Sequence, residues 1–115
     1  MDIRLRTDTL ELDGRTYTLR CNMNVLADVQ EAWDGDLLEA LDGRHRLRSA
    51  LSFCAAMCND WAKEQGWDER WTPEALGRRV SVYMPGTFAD KVMGLVFDAL
   101  APADEPEGTE ADEKN

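Results

Sequence analysis

Residues 9–21, Thr9-Leu10-Glu11-Leu12-Asp13-Gly14-Arg15-Thr16-Tyr17-Thr18-Leu19-Arg20-Cys21, alternate apolar and polar side chains on either side of an Asp-Gly pair. Asp and Gly both tolerate positive φ, so this pair is the strongest short-range signal for a two-residue hairpin turn. Such a turn sets Leu10 opposite Tyr17 on one face. Ile3 and Leu5 offer a third short strand, so the β element is read as a hairpin or a three-stranded antiparallel sheet.

Directly after the hairpin the apolar period changes from two to that of a helix, with Met23, Leu26, Val29 and Trp33 in step and Asn22 or Asn24 available as N-cap. The first helix is expected over about 23–34. Gly35 interrupts it, and Asp36 caps a short continuation through Leu37, Leu38 and Leu41 that ends at Asp42-Gly43. The longest helix is expected over 44–64, with Leu47, Leu51, Cys54, Cys58 and Trp61 in one stripe. That stripe is widened by Ala50, Phe53, Ala55 and Met57, a breadth that implies burial against several elements. Gly66 closes it. Thr72-Pro73-Glu74 opens a short fourth helix with Thr as cap and Pro at the first helical position. Met84-Pro85-Gly86 is read as a break, followed by a last helix from Thr87, which has Asp90 at capping-box spacing, to Leu100.

The expected fold is therefore α+β and mainly helical, one domain over 1–100 with four or five helices. Residues 101–115 hold six acids, two Pro and one Gly and no large apolar side chain, which reads as a disordered acidic tail.

The formal charge of -10 is carried half by the body and half by that tail. Acidity of this size opposes nucleic-acid phosphates and anionic lipid, so neither is an expected partner. The longest uncharged run, 49–59, is eleven residues, short of the roughly 20 that span a bilayer, and the first residues lack a signal-peptide core. A cytoplasmic protein is expected, its three cysteines reduced and buried.

No catalytic constellation emerges. The single histidine, His45, lies between Arg44 and Arg46 with no orienting acid beside it. Cys54 and Cys58 stand four apart with no second pair to complete a zinc site. No enzyme activity, metal or cofactor is expected. Two features point to partners instead. Arg44, Arg46 and Arg48 form a basic cluster at a helix start, where the macrodipole calls for acidic company from nucleic-acid phosphates, from a partner or from the protein's own tail; an ordinary solvated face is the favoured reading. Trp67 and Trp71, with Trp61, put three indoles within eleven residues, two of them in a loop. Trp is favoured in interface anchors, so both are candidates for a partner or self-association surface; folding back over the core is the competing reading.

The order of Leu12-Asp13-Gly14-Arg15-Thr16-Tyr17-Thr18-Leu19, then Asn22-Met23-Asn24-Val25-Leu26-Ala27-Asp28-Val29-Gln30-Glu31, then Asp36-Leu37-Leu38-Glu39-Ala40-Leu41 resembles the tail assembly chaperones of long-tailed bacteriophages. The small-residue stretch 50–57 and Thr72-Pro73-Glu74-Ala75-Leu76-Gly77 extend the likeness over most of residues 9–80. The resemblance implies a non-enzymatic cytoplasmic factor that keeps the tape measure protein soluble while tail tube protein assembles around it, and that is absent from the mature virion. It also implies the short product of a frameshifted gene pair, with which a slippery spelling of Glu113-Lys114-Asn115 is compatible. A small acidic regulatory or anti-host protein, binding by charge mimicry, is the alternative.

Overall fold

The computed structural model describes residues 6–80 and 85–101. Strands β1 (Thr7–Leu12) and β2 (Arg15–Arg20) pair antiparallel with Leu10 opposite Tyr17 and Leu12 opposite Arg15. Asp13 and Gly14 make the turn at φ 51° and 81°, the left-handed values that a primed two-residue turn demands. The inward parity buries Leu12, Tyr17 and Leu19. The third-strand candidates Ile3 and Leu5, the segment 81–84 and the acidic tail from residue 102 lie outside the described residues.

Helix α1 (Met23–Ala32) is capped by Asn22, whose Oδ1 accepts from the Val25 N–H at 3.0 Å. It stops at Ala32 rather than at 34, because Asp34 and Gly35 both turn to positive φ. Asp36 then caps α2 (Leu37–Leu41) by accepting from the Glu39 N–H at 3.0 Å. The long helix α3 (Arg46–Gln65) starts two residues later than the pattern suggested. The Asp42 carboxylate accepts from the Arg44 backbone N–H at 2.9 Å and from its Nε at 3.2 Å, which holds 42–45 in a turn. At the other end Gly66, at φ 78°, lets the Trp67 N–H reach the Ala62 carbonyl at 2.8 Å and closes the helix. Helices α4 (Pro73–Gly77), capped by Thr72, and α5 (Pro85–Leu100) are the last elements among the described residues.

Two expectations need correction. The last helix begins at Pro85, not at Thr87: proline's fixed φ suits a first helical position, so Pro85 opens the helix and Thr87 lies within it. The buried face of α3 is also narrower on one side than inferred, because Leu47, Leu51 and Trp61 fall at or outside its edge. Leu47 is 50% exposed and Leu51 is half-buried, whereas Ala50, Phe53, Cys54, Met57 and Cys58 are fully buried. Three more alanines, Ala55, Ala56 and Ala62, are buried along the same helix, and small side chains let neighbours approach closely. Helix α3 is the hub, contacting α1, α4, α5 and β2, while α5 lays Ala89, Val92, Met93, Leu95 and Val96 into the same core. Among the described residues the protein is thus mainly helical, with an N-terminal two-stranded antiparallel hairpin packed on five helices. No helix among the described residues is long and apolar enough to cross a membrane.

Candidate functional site

Trp67 and Trp71 come to rest against the hairpin. The residues between α3 and α4 carry no regular structure of their own, and one side chain of α3 supplies the order. Asn59 Nδ2 donates to the Trp71 carbonyl at 2.8 Å, and its Oδ1 accepts from the Trp71 N–H at 2.6 Å, so one amide imitates a strand's pairing. The Trp71 indole N–H then donates to the Tyr17 hydroxyl at 3.1 Å, and that hydroxyl donates to Glu69. The same Glu69 oxygen accepts from Arg15 at 2.7 Å, and the Arg15 guanidinium lies over the Trp67 ring at 4.4 Å. Tyr17 meets both indoles edge-on, with centroids 5.4 Å from Trp67 and 6.3 Å from Trp71. Burial and the hydrogen bond to Glu69 raise the Tyr17 pKa, which keeps the hydroxyl a neutral donor. Both indoles are half-buried, each with part of its surface open to solvent.

The three arginines at the start of α3 do not form a shared free patch. Arg44 pairs with Asp42 at 3.2 Å, Arg46 with Asp90 of α5, and Arg48 with Glu74 of α4 at 3.7 Å. Each cation therefore meets an acid of its own chain, and two of the three tie α3 to a neighbouring helix. His45 stands 6.3 Å from the Trp33 ring in a tilted arrangement, and the Trp33 indole N–H donates to Ser52 at 3.1 Å.

Tyr17, Asn59, Glu69 and Arg15 complete the cluster, and none of them stood out in the sequence. The parity of β2 marks Tyr17 as inward, but nothing local marks its partners, which lie 52 and 54 residues away. A groove of about 620 Å³ runs beside the cluster, lined by Asn24 and Asp28 of α1, Asn59, Asp60 and Lys63 of α3, and residues 67–70. A second groove, of about 400 Å³, shares Glu69 and Arg70 with the first and opens beside Trp71 between the hairpin turn and the end of α4.

The cysteines sit in the core. Burial pushes the Cys21 thiol up from about 9 to about 11, and a hydrogen bond with Cys58 together with burial raises Cys54. The sign of the effect on stability follows. Below about pH 9 both folded and unfolded chains hold the Cys21 proton; above it the unfolded chain releases the proton first, so stability is lost as pH climbs from 9 to 11. The slope for one such proton is about 1.4 kcal/mol per pH unit. Urea midpoints should fall across this window, and less steeply in Cys21→Ala; a flat midpoint in the parent protein would contradict the burial of these thiols. Among the described residues no group of three or more His, Cys, Asp or Glu is arranged to hold a metal.

Among the described residues five large apolar side chains stay exposed: Met23 on α1, Leu38 on α2, Leu47 on α3, and Phe97 and Leu100 on α5. Leu38 and Met23 are the most open, at 78% and 76%. Comparison with known proteins finds no matching family, curated protein or solved structure.

Proposed function

We propose that the chain is a non-enzymatic tail assembly chaperone of a long-tailed bacteriophage. In the host cytoplasm it binds the tape measure protein while tail tube protein assembles, and it does not enter the finished virion. The observation that carries the reading is the exposure of apolar side chains on several helices of an otherwise well-buried, strongly acidic protein. Exposed apolar surface suits the engagement of amphipathic helices, and net charge keeps a loaded complex soluble. The segments that carry the resemblance are the hairpin for residues 12–19, the Asn22-capped α1 for 22–31 and the Asp36-capped α2 for 36–41.

The experiment is co-expression with the tape measure protein encoded in the same genome. The expected result is a soluble complex that survives 1 M salt and is weakened by Met23→Asp with Leu38→Asp, exposed positions where charge leaves the fold intact. Failure of the tape measure protein to co-purify would overturn the proposal. A second reading is favoured by the charge of -10: a small acidic regulatory or anti-host protein presenting carboxylates to a basic partner. Salt separates the two, because charge mimicry weakens sharply with ionic strength.

A further inference from the structure

The groove beside Trp71 brings together residues that are scattered along the chain. Its wall is the Trp71 indole, and its rim carries Arg70 from the loop and Arg78 and Arg79 from the end of α4, with Asp13 at the hairpin turn. Arg79 meets Asp13 at 3.8 Å, and Glu69 is occupied by Arg15 and Tyr17. Arg70 and Arg78 have no ion-pair partner among the described residues, although both are exposed. In a chain of charge -10, two arginines without ion-pair partners beside an aromatic wall, with the lining's Asp13 and Glu69 already paired to other arginines, form a local site of the opposite sign.

We infer that this groove is a docking site for acidic peptide, and that its resident occupant is the protein's own segment 107–113. That segment carries Glu107, Glu110, Asp112 and Glu113 and no base. Charge complementarity is one argument and reach is the other. Asp98, near the end of α5, pairs with Arg6 at the start of the hairpin, whereas the groove lies at the hairpin's turn, where Asp13 meets Arg79. The hairpin spans about 20 Å between those points at roughly 3.3 Å per residue. A chain leaving Ala101 covers that distance by about Glu107 and twice that distance by Glu113. Tethering supplies a high effective concentration, so several individually weak ion pairs suffice to populate the docked state. The arginines at the start of α3 are poorer candidates, because each already meets an acid of the body. This inference does not rest on the chaperone reading.

The test uses the full chain with Thr109→Cys carrying a nitroxide; the native thiols are buried, so labelling at neutral pH reaches the new cysteine alone. At about 50 mM salt the amide signals of Arg70, Trp71, Arg78 and Arg79 should lose at least half their intensity. At 1 M salt, where the screening length falls to about 3 Å, the signals should recover. Arg70→Glu with Arg78→Glu, both at exposed positions, should abolish the broadening at low salt while the rest of the spectrum is unchanged. Broadening that centres on residues 44–48 instead, that spreads evenly over the surface, or that ignores salt and charge reversal would overturn the inference.

Discussion

Phe53→Ala is expected to destabilise the protein by about 3–5 kcal/mol, a large part of the total for a domain of this size. The ring is fully buried on α3, the helix that touches α1, α4, α5 and β2. A cavity there is bordered by several elements at once, and their backbones cannot all move in to fill it. Leu47→Ala on the same helix is the control. Its side chain is 50% exposed, so its loss should change stability by less than about 0.5 kcal/mol. Urea denaturation of the two variants measures the contrast. A Phe53→Ala cost below about 1 kcal/mol, or a Leu47→Ala cost of similar size to it, would show that the inward face of α3 is misassigned.

The edge of the α3 face shows where reading from sequence stops. An apolar set at helical spacing marks a helix with a wide buried face, but it does not mark which side of that face meets partners. Partner elements decide that. Hydrophobicity ranks leucine above alanine, whereas the crowded centre takes Ala50 with Phe53, Cys54, Met57 and Cys58 and leaves Leu47 exposed and Leu51 half-buried. Local signals transferred much better. Asp13-Gly14, the caps Asn22, Asp36 and Thr72, and the terminator Gly66 each act within a few residues of themselves, and each appears in the structure in the role expected of it.

Pairings between distant segments left no local trace. Arg46 finds Asp90 and Trp71 finds Tyr17, at separations of 44 and 54 residues. The sequence shows three arginines that need acids and two indoles that need cover; it does not show that the same chain supplies both. The second groove was missed for the same reason. Arg70 precedes Trp71 directly, but Arg78 and Arg79 are unremarkable along the chain and meet Trp71 and Asp13 around one groove only in the folded protein.

Asn59→Leu should release that loop at a cost of about 2 kcal/mol. The substitution keeps the size of the side chain and removes both of its bonds to the Trp71 backbone, 2.6 and 2.8 Å long. An abandoned buried donor or acceptor costs about 1–3 kcal/mol, and the half-buried position lets water recover part of that. Asn59→Asp makes the diagnosis sharper. The introduced carboxylate still accepts from the Trp71 N–H but confronts the Trp71 carbonyl with a negative charge; only the protonated acid donates as the amide did. Folding would therefore raise the pKa of the introduced carboxyl above its unfolded value of about 4. A raised acid favours folding below the unfolded pKa and forfeits that advantage as pH rises through the folded one. Relative to the parent protein, Asn59→Asp should be least stable near neutral pH and approach parity below about pH 4, whereas the deficit of Asn59→Leu should not depend on pH. Tryptophan emission reports the loop directly, because Trp71 and Trp67 gain exposure when the clamp fails. Equal deficits for the two variants at every pH, or an emission spectrum identical to the parent's, would mean that Asn59 does not hold the indoles against Tyr17.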